Sequence, residues 1–342
     1  MWCSSKKCFV AICASVLALF AFGCAGAPAA ERPITNDHAK PNEDAEHATH
    51  RLLRAAANLG PADIRRALAD GADLDGRDPD TGQSALMLAA AFNSDPNAVD
   101  VLLQAGAEID ARTQGGSTAL QWAAGANPNS EVVRMLIAAG ANVNLQDYKG
   151  GTALMAAGHN ENPEVHRKLI DAGADVNARS RQGGTPFMAA AALNPNPEVL
   201  MVLLDAGAEV NARTDAGQSA LAMAVVMNTN PEVIALLLES GTEINVRDAR
   251  GAPILHRSVL NEYPEVVAML LEAGAEVDLR HAERGTTALM YAAQHDKAEV
   301  VATLLEAGAD PRFIDYQGKT ALDYAEEGTD TFALLKDAEQ HR

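Results

Sequence analysis

The chain has 342 residues, a formal net charge of −19 and only 4% aromatic residues. Such an acidic balance argues against general nucleic-acid binding, because phosphates need cationic partners. The four cysteines, Cys3, Cys8, Cys13 and Cys24, all lie at the start, so nothing after Cys24 can form a disulfide or a thiolate metal site.

Lys6 and Lys7 precede an uncharged apolar run from Phe9 to Gly23. The run is shorter than the roughly 20 residues that span a bilayer, and it fits the apolar region of a signal peptide, expected over residues 1–23. Ala21-Phe22-Gly23-Cys24 resembles the bacterial lipobox, in which a cysteine is lipidated and becomes the new N-terminus. That family usually carries Leu and a small residue where this chain has Ala21 and Phe22. The resemblance implies a lipid on Cys24 and a place in the cell envelope. Ala25, rather than Asp, after the cysteine implies the outer membrane. Two alternatives stay open: cleavage after Ala27-Pro28-Ala29, which releases a soluble secreted protein, and an uncleaved anchor. Residues 24–48 are rich in Ala, Pro and charge, lack apolar periodicity and read as a flexible tether.

From residue 49 onward a glycine closes a helix-like run again and again, at Gly71, Gly106, Gly140, Gly173, Gly207, Gly241, Gly274 and Gly308. A near-constant period in this range predicts a stacked-repeat architecture. The fourth full unit is the clearest. Thr185 caps a first helix and Pro186 takes its first position. Asn194-Pro195 ends that helix, Asn196 caps a second one, and Val199, Val202, Leu203 and Ala206 form its apolar face. Gly207 supplies the left-handed C-terminal cap. The expected layout is an N-terminal cap over 49–77, seven repeats over about 78–314 and a C-terminal cap over 315–342. Most units carry an Asn-x-Asn-Pro-Glu turn between the helices, and the slight irregularity of the period is assigned to that turn.

These units resemble the ankyrin repeat. Its helix start is matched by Thr118-Ala119-Leu120, Thr152-Ala153-Leu154, Ser219-Ala220-Leu221 and Thr287-Ala288-Leu289. Its second helix is matched by Val132-Val133 to Leu136, Val266-Val267 to Leu270-Leu271 and Val300-Val301 to Leu304-Leu305. The family's histidine survives as His256, while Met87, Met155, Met188 and Met290 replace it elsewhere; methionine there is read as packing. The resemblance implies an all-α solenoid of helix-turn-helix repeats with short β-hairpin fingers. It also implies a non-enzymatic, monomeric protein that binds another protein through finger tips and concave helix face, with no cofactor. A membrane-anchored scaffold or adaptor is the leading expectation. The alternative is an inhibitor or immunity protein that blocks an exported toxin or enzyme.

Candidate contact residues on the variable tips are Gln114, Tyr148, Lys149, Arg181, Gln182, Arg250, Glu283, Arg284 and Tyr316. Where the first helices end stand Phe92, Ala126, His159, Leu193, Met227, Leu260 and His295, which read either as packing or as a contact strip in the groove. A third series, Arg77, Arg112, Arg179, Arg213, Arg247 and Arg280, lies six residues after successive repeat glycines, with Gln146 and Ile314 interrupting it. It reads as a ladder paired with nearby carboxylates or as a basic stripe for an acidic partner. Catalytic and metal signals are weak. Gly318-Lys319-Thr320 has Phe313 where a phosphate-binding loop needs glycine, and His47 with His50 lacks the further ligands that a zinc site needs.

Overall fold

The computed structural model describes residues 43–261 and 263–341 as one row of helix pairs. The expected signal peptide, Cys24 and the tether as far as residue 42 lie outside the described residues. The opening pair is α1 (Glu43–Asn58) with α2 (Pro61–Ala69). Units one to four are α3 (Ala85–Phe92) with α4 (Asn97–Gln104), α5 (Ala119–Ala126) with α6 (Ser130–Ala138), α7 (Ala153–Ala156) with α8 (Pro163–Asp171), and α9 (Pro186–Leu193) with α10 (Pro197–Asp205). Units five to seven are α11 (Ala220–Met227) with α12 (Pro231–Glu239), α13 (Ile254–Ser258) with α14 (Glu265–Glu272), and α15 (Ala288–Gln294) with α16 (Ala298–Glu306). A 3₁₀ turn at Leu322–Tyr324 and α17 (Asp330–Gln340) close the row.

Helix α1 starts inside the segment expected to be a tether, so residues 43–48 are helical. The apolar stripe explains the early start, since Ala48, Leu52, Ala55 and Ala56 are all buried against the stack. The C-terminal end is closed by α17, which buries Thr331 and Leu335 and is capped by Thr329.

Local chemistry sets the helix ends. Ser84, Thr118, Thr152, Thr185, Ser219 and Thr287 each cap a first helix, and each hydroxyl accepts from the backbone N–H three residues on. The eight repeat glycines all have positive φ, between 79° and 97°. Each terminates its second helix in the left-handed conformation that L side chains disfavour. Two of the four methionines at the family's histidine position do more than pack. The Sδ of Met87 accepts from Ser84 N at 3.4 Å and that of Met290 from Thr287 N at 3.4 Å, while Gln121 Oε1 accepts from Thr118 N at 2.8 Å.

The stack is held by polar seams as well as by its apolar core. Asn93, Asn127, Asn160, Asn194 and Asn228 are buried, and each Nδ2 donates to two backbone carbonyls of the preceding unit. Asn261 continues this seam with one bond to Val225 O. The second asparagine of the turn also works twice. Asn196 Oδ1 accepts from Glu198 N at 3.0 Å and caps α10, while its Nδ2 donates to Glu161 O at 2.9 Å.

Two expectations need correction. The fingers are tight turns, not strand pairs; among the described residues extended pairing is limited to single bridges, Arg77 with Ser84 and Arg247 with Pro253. Each turn closes too soon for a ladder to grow, as when Asp147 N bonds Gly151 O at 2.9 Å and Ser180 N bonds Gly184 O at 2.9 Å. Nor does the asparagine turn cause the irregular period. In the shorter third and sixth units the first-helix cap stands one residue nearer the turn asparagine, Thr152 to Asn160 and Pro253 to Asn261, and the third completes its helix as a 3₁₀ turn at Ala157–His159. The seventh unit replaces the asparagine turn with His295-Asp296-Lys297, where Asp296 takes φ 50°.

Candidate functional site

The fingers are built side by side. Asp147 Oδ1 accepts from Lys149 N at 2.8 Å and from Gly151 N at 2.7 Å, which locks the third finger. Successive tips then join through one main-chain bond each: Tyr148 N to Gly115 O at 3.0 Å, Arg181 N to Lys149 O at 2.9 Å, and Asp215 N to Gln182 O at 2.9 Å. Gly150, at φ 81°, permits this closeness, because a Cβ there would meet Arg181 N at 2.7 Å.

Between these fingers and the first helices of units two to four lies a pocket of about 120 Å³. Its finger side is formed by Asp147, Lys149, Ser180 and Gln182, and its helix side by Gln121, Trp122, Met155, Ala156, His159 and Leu193. Gln121 braces the wall: its Nε2 donates to Gly151 O at 2.7 Å and to Leu145 O at 3.2 Å. Gly125 keeps α5 close to α7, since a Cβ there would stand 3.1 Å from Ala156 O. The pocket is therefore an apolar chamber with a few polar groups, the usual make-up of a recognition site.

Three of those polar groups have no partner within the protein. They are Trp122 Nε1, His159 Nε2 and Gln182 Oε1, all shielded from solvent. Burial lowers the His159 pKa against the opposing pull of the Ala156 carbonyl. A shielded donor or acceptor without a partner costs about 1–3 kcal/mol, so three in one pocket mark it as unlike the rest of the groove.

The residues expected from the sequence distribute unevenly. Lys149, Gln182 and Leu193 converge on the pocket, and Tyr148 and Arg181 flank it on the same two tips, both exposed. Arg250, Arg284 and Tyr316 sit on later fingers, also exposed, with Tyr316 N bonded to Arg284 O at 3.1 Å. Phe92 (37% exposed) and Leu260 (46% exposed) stand apart, in units one and six, and Met227 is half-buried in unit five. The sequence alone does not mark Trp122, Gln121 or Met155 as contacts. The signal for Trp122 is that Ala156 and Ala189 occupy its place in the next two units. His47 and His50 are exposed on α1, and among the described residues no group of three or more possible ligands could hold a metal ion.

The arginine series forms a ladder, but its partners are chiefly backbone carbonyls. Arg77 Nη1 donates to Arg112 O at 3.0 Å, Arg112 Nη1 to Gln146 O at 2.8 Å, and Gln146 Nε2 to Arg179 O at 3.2 Å. Arg179 Nη2 then donates to Arg213 O at 2.6 Å, Arg247 Nε to Arg280 O at 2.9 Å, and Arg280 Nη2 to Ile314 O at 2.5 Å. Gln146 thus carries the row forward where arginine is missing. Among the described residues one ladder member makes an ion pair, Arg213 with Glu243 at 2.6 Å. Carbonyls satisfy the donors but carry no net charge, so the finger edge is cationic on an acidic protein. No helix among the described residues is long and apolar enough to cross a membrane.

Comparison with known proteins agrees with this architecture. The family model described as Ankyrin repeats (3 copies) matches residues 52–147, 86–180, 154–248, 187–281 and 255–341. Among solved structures, the crystal structure of the human ASB11 ankyrin repeat domain is similar at 27% identity and a TM-score of 0.59. The match covers 65% of this chain and 98% of that one. The comparison with curated proteins gives no match.

Proposed function

The chain belongs to the ankyrin-repeat family, and from that premise we propose that it is an envelope-anchored scaffold that holds a protein partner in the groove between its fingers and first helices. The observation that supports this reading is the pocket of units two to four, with Trp122, His159 and Gln182 each offering a shielded polar atom that the fold itself leaves unsatisfied. A lipid on Cys24 would confine the partner to the membrane surface and raise its effective concentration there. The cationic finger edge would orient it.

Two experiments test the two halves. A photo-crosslinking residue in place of Arg181 is expected to capture one defined protein in the native cell, and the same residue in place of Glu239, on a second helix, is not. Capture of nothing at Arg181, or of the same protein from both positions, overturns the groove reading. For the anchor, Cys24→Ser is expected to move the protein from the membrane to the soluble fraction. The lipoprotein reading falls if that variant still fractionates with membranes and the wild type carries no lipid.

A further inference from the structure

The pocket and the cationic edge lie together, and their chemistry describes what they would bind. In the three fingers around the pocket, residues 111–118, 145–152 and 178–185, the charged side chains are Arg112, Lys149, Arg179 and Arg181 against one carboxylate, Asp147. That carboxylate is buried and occupied by the N–H groups of Lys149 and Gly151. Arg112 and Arg179 are held in place by carbonyls of the next unit, and among the described residues neither makes an ion pair, although Asp215 of the next finger lies near Arg179. Elsewhere the protein is strongly acidic, with a net charge of −19. An acidic chain would be repelled from most of the molecule and drawn to this edge.

The interior of the pocket adds a second requirement. Its walls are mainly apolar, which favours a hydrocarbon stem. Trp122 Nε1 can only donate, whereas the Gln182 amide oxygen can only accept. Neither has a partner in the fold. Both are already shielded from solvent, and a purely apolar occupant would leave them unsatisfied. A carboxylate could accept from the indole and would then face the Gln182 oxygen unfavourably. A side chain that both accepts and donates answers the two together.

We infer that the pocket of units two to four receives one side chain, with an apolar stem and a tip that both accepts and donates hydrogen bonds, from an extended acidic segment of a partner protein. Glutamine and tyrosine meet the description. Stacked helices lie about 10 Å apart and an extended chain advances about 3.3 Å per residue. Carboxylates on either side of the anchor would therefore reach the cations of neighbouring fingers. This inference rests on the groove reading proposed above.

The test uses the full chain carrying Trp2→Phe, which leaves Trp122 as its single indole. The probes are fluorescein-labelled peptides with four glutamates on each side of a central residue, either Gln, Tyr, Leu or Ala. Anisotropy is expected to show the Gln or the Tyr peptide binding about tenfold tighter than the Leu and Ala peptides, with a shift in Trp122 emission from unlabelled peptide and weaker binding at high salt. Gln182→Leu, checked for an unchanged melting temperature, is expected to lose the anchor preference and keep the salt-dependent binding. Trp122→Phe should do the same by anisotropy. Equal affinity for all four peptides, a tighter Leu peptide, an unresponsive Trp122, or equal binding by a lysine-flanked series would each overturn the inference. If those results appear while Arg181 still captures a protein in the cell, the groove reading stands and only the anchor chemistry falls.

Discussion

At the scale of single residues, buried polar groups separate into those that the fold satisfies and those that it does not. Asn194 is fully buried and uses its whole amide: Nδ2 donates to Gly158 O at 3.1 Å and Asn160 O at 2.9 Å, and Oδ1 accepts from Asn196 N at 3.0 Å. Leucine has nearly its shape but no polar atoms. Asn194→Leu strands three backbone groups in the interior, and it is expected to lower unfolding free energy by about 3 kcal/mol in urea titration. His166 is the opposite case, because it is fully buried and neither ring nitrogen makes a well-formed hydrogen bond, the Asn162 and Ala157 backbone opposing its burial only weakly. Burial pushes its pKa down to about 4, and burial does the same to His256 despite the Thr286 carbonyl on its Nε2. The unfolded chain therefore takes up protons below its ordinary histidine pKa of about 6.5 while the folded chain resists them. Their contribution to stability is complete above that pH, declines as pH falls towards 4 and is flat below. Each histidine accounts for a loss of about 3 kcal/mol at most. His166→Leu is expected to reduce the fall in melting temperature between pH 6.5 and 4, and a pH profile unchanged from wild type would contradict this.

At the scale of helices and turns, the frame is legible in the sequence because its signals are local. Thr185-Pro186 and Asn196-Pro197 mark two helix starts, and Gly207 marks an end, each through the backbone within a few residues. What is not legible depends on contacts one repeat away. The reach of Asn194 to Gly158 and Asn160 has no local signature, nor does the exchange of carboxylate for carbonyl partners along the arginine ladder. The pocket escapes for the same reason: it needs Trp122 in one unit facing Ala156 in the next. Gly158 illustrates such distant control. It lies in the 3₁₀ turn that completes α7, and a Cβ there would stand 3.0 Å from both the backbone carbon and the Cβ of Ala189. Backbone cannot swing aside as a flexible side chain can, so Gly158→Ala must separate the first helices of units three and four. It is expected to destabilise by about 1–3 kcal/mol in thermal or urea unfolding. Gly115→Ala is the matched control, because its φ is not positive and its new Cβ would meet nothing nearer than Thr113 Oγ1 at 3.8 Å. It should change stability by no more than about 1 kcal/mol.

For the whole molecule, stability is a sum of repeat and interface terms along one dimension, so the weakest interface decides where opening begins. From unit one to unit five every asparagine seam residue makes two bonds back to its predecessor, whereas Asn261 in unit six has one, to Val225 O. Unit seven has no asparagine at this place. His295-Asp296-Lys297 turns the chain through a non-glycine residue with φ 50°, a conformation that is uncommon for side-chain-bearing residues. The C-terminal units therefore have less polar coupling to the stack and some backbone strain, although their apolar faces are still buried, as Val300, Val301 and Leu304 show. The groove around Trp122 lies in the better-tied part, where Asn127, Asn160 and Asn194 run in succession. Binding there would not require the weak end to stay closed. Native-state hydrogen exchange is expected to show α15, α16 and α17 opening first, at a free energy below that of α5 to α10. Asp296→Gly, which relieves the backbone without touching the core, should raise protection in α15 and α16 by about 0.5–1 kcal/mol and leave α5 to α10 unchanged. Uniform protection from α5 to α17, or a gain shared by every unit, would mean that the row opens as one cooperative body and that the missing seam has no energetic consequence.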